Sequence, residues 1–164
     1  MRVEQVMARP SHACRPEDSL PRAAQVMWDH DCGCLPVIES DDTERVVGLI
    51  TDRDVCMYAL FEGSPLRALK VRQAMAKQVQ ACRSDDSLAD AGRMMREARV
   101  RRLPVVDGDG ALVGMIALAD IAQAAERSSR AERSSRAERP EITPRDVGRA
   151  FAEVSCPLHR QLVA

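Results

Sequence analysis

Apolar residues recur along the chain at two spacings, and the alternation between the two predicts the elements. Leu20, Ala23, Ala24 and Met27 follow helical spacing, and so do Leu88, Ala91, Met94 and Met95. Each run opens on the tripeptide DSL, residues 18–20 and 86–88, whose aspartate or serine can cap the helix. Short extended pieces precede them, HACR at 12–15 and QACR at 80–83. Compact apolar runs follow, CLPVIES at 34–40 and RLPVVDG at 102–108, suited to buried strands. A turn comes next, marked by DGDG at 107–110. Second strands, RVVGLI and ALVGMI, then run without a gap into the helices DRDVCMYALFEG and LADIAQAAE. The pattern is β-α-β-β-α, twice, and the expected fold class is α+β.

The two halves are copies. VEQVMA at 3–8 meets VRQAMA at 71–76, a shift of 68 positions. The same shift aligns ACR with ACR, DSL with DSL, Met27 with Met95 and LPVI with LPVV. Past the turn the shift becomes 66, and GLITDRD at 48–54 meets GMIALAD at 114–120. One copy alone buries too little surface to be stable, so the two are expected to pack together. The expected divisions are repeat one at 1–63, repeat two at 64–125, a linker at 126–139 and a helical tail at 140–164. The linker, AERSSRAERSSRAER from 125 on, lacks helical or heptad period and predicts a solvated linker or frayed helix. In the tail, Thr143 is a good N-cap with Pro144 at the first helical position, and Val147, Ala150, Phe151 and Val154 make one apolar stripe.

Composition narrows the function classes. The chain has 164 residues, 45% apolar and 30% charged, with a net charge of −1. That balance gives no global pull toward nucleic acid or membrane. The linker's arginines lack the interleaved aromatics that stack on bases, which speaks against a nucleic-acid arm. No stretch approaches the ~20 apolar residues of a membrane helix. The N-terminal MRVEQVMARPSHAC has no apolar core of a secretory signal, so the expected compartment is cytoplasmic. The six cysteines (14, 32, 34, 56, 82 and 156) are then expected to be reduced.

GLITDRD carries the candidate chemistry. Its first residues end a strand, and Thr51 stands at the strand-to-helix junction. The helix N-terminus behind it favours an anion such as phosphate, to which a threonine hydroxyl can donate. Asp54, one turn in, can accept from both hydroxyls of a ribose, as acidic residues do in dinucleotide-binding folds. Thr51 and Asp54 equally suit a plain structural role, as helix cap and first-turn dipole partner. In the second copy Ala117 replaces the hydroxyl while Asp120 remains.

A tandem pair with LPV segments and Gly-apolar-apolar-Thr-x-x-Asp at this spacing resembles the CBS-domain (cystathionine β-synthase domain) family over roughly residues 1–125. The resemblance implies two repeats paired about a pseudo-two-fold axis, with clefts that in many members take adenine nucleotides. It further implies a regulatory module of the small stand-alone bacterial type and not an enzyme. Carried over, cleft one joins Thr51 and Asp54 to Val79, Ala81, Val100, Arg101, Arg102, Leu103 and Pro104, the arginines falling near the phosphates. Cleft two, expected to be weaker, joins Asp120 to Ser11, Ala13, Gly33, Cys34, Leu35 and Pro36. No cofactor is required; AMP, ADP, ATP or an NAD-like molecule is the expected regulatory ligand. A homodimer and an effector protein are the expected partners, with the Phe151 helix as an apolar face for association.

The alternative is a ligand-poor stress protein acting through cysteine redox or metal. Cys32-Gly33-Cys34 could bind a soft metal, with His12 and His30 near in sequence, but there is no C-x-x-C. Cys14 and Cys82 are equivalent positions, which suits packing. GxGxxG, P-loop, G-x-S-x-G and H-E-x-x-H motifs are all missing from the sequence, so no enzyme class is suggested.

Overall fold

The structure is a computed structural model that describes residues 1–9, 12–134 and 142–155. The first copy holds α1 (Leu20–Asp29), β1 (Cys34–Ile38), β2 (Val46–Thr51) and α2 (Asp52–Glu62). A one-turn helix α3 (Val71–Ala74) leads on to β3 (Cys82–Arg83), α4 (Leu88–Ala98), β4 (Arg102–Val106), β5 (Leu112–Ala117) and α5 (Leu118–Ser134). The tail adds α6 (Pro144–Ser155). Mixed α and β structure is therefore observed in the expected order, with one difference. The first strand of copy one is reduced to a single bridge, Cys14 to Val37, where copy two keeps the two-residue β3. The expected linker is helical as far as Ser134, and residues 135–139 lie outside the described residues, as does the tail beyond 155.

The chain forms two compact units that do not follow the repeat boundary at 63/64. One comprises Met1–Arg9, Gln80–Val105 and Gly114–Ala164; the other comprises Pro10–Val79 and Val106–Val113. The cause is an exchange of leaders. Residues 1–8, from copy one, pack with copy two: Val3 N–H donates to Asp86 C=O at 3.0 Å and Leu88 N–H to Met1 C=O at 3.1 Å. Residues 69–76 do the same for copy one: Val71 N–H donates to Asp18 C=O at 2.9 Å and Leu20 N–H to Leu69 C=O at 3.0 Å.

Each leader then bridges the edge of a sheet. Ala76 pairs antiparallel with Leu49 beside β1–β2, and Ala8 with Met115 beside β3–β4–β5. The approach is close at the glycine of each second strand. A Cβ on Gly48 would lie 2.7 Å from the Met75 sulfur and 3.1 Å from the Ala76 carbonyl oxygen. On Gly114 it would lie 2.8 Å from the Met7 sulfur and 3.0 Å from the Ala8 oxygen. The glycines are there because no other residue lets the leader backbone in.

The cores are aliphatic. In the first-copy unit Leu20, Leu35, Val37, Ile50 and Val71 are buried together. In the second-copy unit Leu88, Met95, Leu103, Ile116 and Ile121 are fully buried. The helices begin on side-chain caps: Ser19 Oγ accepts from Arg22 N–H on α1 and Ser87 Oγ from Asp90 N–H on α4.

Gly48→Ala and Gly114→Ala should each lower stability by about 1–3 kcal/mol, the range for inserting a methyl group into a filled space. Urea unfolding measures it; an unchanged midpoint would mean that the leaders do not approach the glycines as described.

Candidate functional site

Thr51 ends β2 with extended backbone and caps α2. Its hydroxyl donates to Asp54 Oδ2 at 2.7 Å, its N–H donates to the same oxygen at 2.9 Å, and Asp54 N–H donates back to Thr51 Oγ1 at 3.1 Å. The two residues form a reciprocal capping box, both half-buried. The junction also holds Gly33 and Cys34: Asp52 N–H donates to Gly33 C=O at 3.2 Å, and Cys34 pairs with Thr51 across the β1–β2 ladder.

The equivalent junction of copy two is built differently. Asp120 Oδ2 accepts from Ala117 N–H at 2.7 Å, but Ala117 has no hydroxyl to complete the box. Here Leu118 N–H donates to Arg101 C=O at 2.9 Å, which sets Arg101 and Arg102 beside Ala117. One junction carries the hydroxyl and the other carries the arginines. The sequence reading allotted both to cleft one. Within their own units, Arg101 and Arg102 neighbour the position from which the hydroxyl is missing.

The remaining predicted residues fall as follows. Val79 and Ala13 belong to the first-copy unit, half-buried; Ala81 and Val100 belong to the second, also half-buried. Leu35, Pro36, Leu103 and Pro104 are buried strand residues. Arg101 and Arg102 are exposed. Ser11 lies outside the described residues. Sequence reasoning missed one contact: the Arg101 guanidinium lies over the Phe151 ring of α6, 5.7 Å from its centroid. The apolar stripe of α6 was legible, but nothing in the stripe says which cation it will meet.

Among the described residues no group of three or more His, Cys, Asp or Glu could hold a metal ion, and no disulfide forms. His12 and His30 stack with ring centroids 3.4 Å apart and planes 9° from parallel. Face-to-face rings do not point two nitrogens at one point between them. Cys14 and Cys82 are packing residues, each directing its thiol at the carbonyl of the equivalent proline, Pro36 and Pro104, at 3.9 Å. Burial, followed by the nearby Asp18, pushes the Cys14 thiol from 9.0 up to about 12; burial and Asp86 do the same to Cys82. No helix among the described residues is long and apolar enough to cross a membrane.

The family model for the CBS domain matches twice, at residues 3–60 and 71–127. The chain belongs to the CBS-domain family. This CBS pair is 31% identical over 120 residues to the CBS domain-containing protein YhcV of Bacillus subtilis, covering 73% of this chain and 82% of YhcV. A crystal structure of Hypoxic Response Protein I with two coordinated zinc ions is 28% identical, with a TM-score of 0.68, over 75% of this chain and 98% of that one. A protein of that name from Mycobacterium tuberculosis is 33% identical over 106 residues, 65% of this chain and 72% of its own length. A crystal structure of CBSX2 in complex with AMP is 27% identical, with a TM-score of 0.66, over 78% of this chain and 98% of that one. CBSX2 is an Arabidopsis thaliana protein. The matches to the family model end at residue 127, so α6 lies outside them.

The buried thiols make a pH prediction. Each native thiol holds a proton that the unfolded chain releases, so its contribution is whole below pH 9.0 and is lost as pH rises toward about 12. Urea midpoints should fall steadily above about pH 9. The Cys14→Ala/Cys82→Ala variant should start lower, having lost core volume, and should show a flatter decline. A decline as steep as that of the parent chain would assign the alkaline loss to other groups.

Proposed function

We propose that this CBS pair is a regulatory module that binds an adenine nucleotide (AMP, ADP, ATP or NAD-like) and signals occupancy to a partner protein. The observation that carries the reading is the Thr51–Asp54 junction at the start of α2, in a chain similar to a CBS protein solved with AMP. On binding, the Thr51 hydroxyl exchanges Asp54 Oδ2 for a phosphate oxygen, and the Asp54 carboxylate, still held by the Thr51 N–H, accepts from the ribose. Val79, Ala81 and the Val100–Pro104 segment flank the base, and Arg101 and Arg102 hold phosphate. The Asp120 junction, with Ser11, Ala13 and Gly33 to Pro36, is the weaker site for want of the hydroxyl. The nucleotide binds one arrangement of the module better and shifts the population toward it. The signal passes to a cytoplasmic effector by contact, without catalysis on this chain.

AMP should raise the thermal midpoint of the full chain by mass action. Asp54→Asn keeps an acceptor for the cap and should weaken AMP by about 10- to 100-fold, the worth of a charge-assisted hydrogen bond. Ser87→Ala removes a cap on α4 outside the proposed site and should lower stability without altering AMP affinity. Equal loss in both variants would make Asp54 a cap and nothing more. A zinc arm tests the second reading, which the zinc-bound relative favours. A zinc shift without any nucleotide shift would replace the first reading by the second.

The module also acts as a homodimer in this reading, through α1 and α2. Trp28 is 83% exposed, Phe61 78% and Leu60 69%, with Met57 beside them on the outer face of α2. Arg53, Cys56, Met57, Leu60 and Phe61 form one exposed stripe at helical spacing, while Val55 is buried on the other side. A helix apolar on both sides is a buried helix. The second copy places Arg96, Gln123, Glu126 and Arg127 at the corresponding positions, so its face is polar and stays at the surface, with Arg96 pairing with Glu153 at 3.4 Å. The first copy has apolar residues at the same positions, and they are exposed. A patch that is apolar apart from Arg53 at its edge is complementary to itself, so a second copy is the fitting occupant. The α6 stripe expected to serve association is used inside the chain, with Val147 and Ala150 buried. Leu60→Glu/Phe61→Glu should shift the sedimentation equilibrium toward monomer by roughly 100-fold in Kd or more, as removal of an apolar anchor does. A parent chain that sediments as a monomer at high concentration would end the dimer reading.

A further inference from the structure

We propose that the cavity between α6 and the second-copy junction binds an amphipathic organic anion, a phosphate monoester with an apolar body. The inference goes beyond the nucleotide reading. It concerns the second-copy unit by itself, and Thr51 and Asp54, in the other unit, take no part in it.

The cavity holds about 590 Å³, within the roughly 300–1,000 Å³ of small-molecule sites. Its two sides differ in chemistry. On one side stand Arg101, Arg102 and the first residues of α5, Leu118 and Ala119. That side is positive twice over, from two guanidiniums and from the N-terminal end of a helix. No carboxylate lines the cavity, and among the described residues none pairs with Arg102. Asp120, the first acid along α5, is held by the Ala117 N–H at 2.7 Å. Ala117 in turn offers the Asp120 N–H no hydroxyl, where Thr51 accepts from the Asp54 N–H at 3.1 Å in copy one. Arg101 lies over the Phe151 ring, 5.7 Å from its centroid. That contact uses the face of the guanidinium, whereas phosphate is gripped by its edge. On the other side α6 presents Val147 and Phe151, an apolar wall along which the body of a ligand held at the arginines can lie.

Gly148 is an independent observation. It stands in the interior of α6, where glycine is the poorest residue after proline. The fold gives no reason for it. Its φ is not in the left-handed region, and a Cβ built on it meets no atom within 4 Å. At Gly48 and Gly114 a leader backbone occupies that space; at Gly148 the space belongs to the cavity. A glycine so placed suits the close approach of a ligand to the helix backbone. Two cations with no acid in the lining match a dianion better than a monoanion, which favours phosphate over carboxylate. The apolar wall favours an ester with a hydrocarbon body over bare phosphate.

Arg101 and Arg102 also hold phosphate in the nucleotide reading, so the test separates the two ligands. Calorimetric titration of the full chain with hexyl phosphate probes the site, with hexanol and inorganic phosphate as controls. Hexyl phosphate should bind at least about tenfold tighter than either control, because each buried CH₂ is worth about fourfold and a charge-assisted bond about tenfold or more. Arg102→Ala should weaken it about 10- to 100-fold. Gly148→Leu fills the cavity and should abolish binding. Gly148→Ala should raise the thermal midpoint of the ligand-free chain by about 2–4 °C, as a methyl group added to a helix interior in open space does. A glycine required by packing would lower it. Asp54→Asn should bind hexyl phosphate as the parent does. Parent affinity no tighter than for inorganic phosphate overturns the site, and so does unchanged affinity in Arg102→Ala or in a folded Gly148→Leu. Loss of hexyl phosphate in Asp54→Asn places the probe at the nucleotide junction and overturns it as well. AMP binding and its Asp54→Asn defect are measured separately, and none of these outcomes decides the nucleotide reading.

Discussion

The structure depends on the approach of a leader strand to a glycine. Met75 and Ala76 come within van der Waals reach of the Gly48 position, and Met7 and Ala8 do the same at Gly114. A side chain at either glycine would push the leader off the sheet edge and open the backbone bonds that follow from it. Those bonds run between leader and helix start, Val3 to Asp86 and Val71 to Asp18, so each copy's first helix is tied to the other copy's leader. Neither copy is complete alone. The duplication in the sequence is thus a physical requirement of the fold, not an accumulation of two independent units.

The same economy governs the helix starts. Ser or Thr followed three residues later by Asp caps α4, α2 and α6, with near-identical bonds at Ser87–Asp90, Thr51–Asp54 and Thr143–Asp146. The capping hydroxyls hold the Asp90 and Asp146 carboxyls below the usual carboxylate range. The geometry of Thr51 and Asp54 taken alone is therefore that of an ordinary cap, and Thr143 and Asp146 reproduce it in a tail outside the family match. What separates Thr51 from Thr143 is its setting: the end of a sheet strand, with the Gly33–Cys34 backbone folded against the helix start. The nucleotide chemistry proposed for that junction rests on the setting, and the cap supplies rigidity.

Much of this was legible in the residues. The shift of 68 and then 66 marked the copies, and helical and strand spacings placed every long element in order. The compact units were not legible, because a leader's partner is chosen by a glycine more than 100 residues away in one case, 7 to 114, and sequence proximity assigns it to the wrong neighbour. The first strand of copy one was over-read from its likeness to copy two: the same turn follows both, at Arg15–Asp18 and Arg83–Asp86, but copy one pairs at one residue only. The thiols of Cys14 and Cys82 were read as packing from their equivalence alone, and burial agrees. The neighbours of Arg101 could not be read, since they depend on where α6 docks, and the stripe of a helix does not name its target.

The two copies have kept what packing demands and parted where packing is silent. Glycine, cysteine, proline and the DSL aspartate stand at matching positions in both, each tied by a backbone contact. The differences gather at two places: the strand-to-helix junction, with Thr51 against Ala117 and Gly33–Cys34 against Arg101–Arg102, and the outer helical faces, with Trp28 and Phe61 against Arg96 and Arg127. Neither place bears on the leader exchange. Freed from the core, the junctions could specialise in ligand contact and the faces in association, and α6 joins the two on one side by packing on a face while reaching a junction through Phe151. In that unit one helix therefore touches both a diverged face, at Arg96, and a diverged junction, at Arg101.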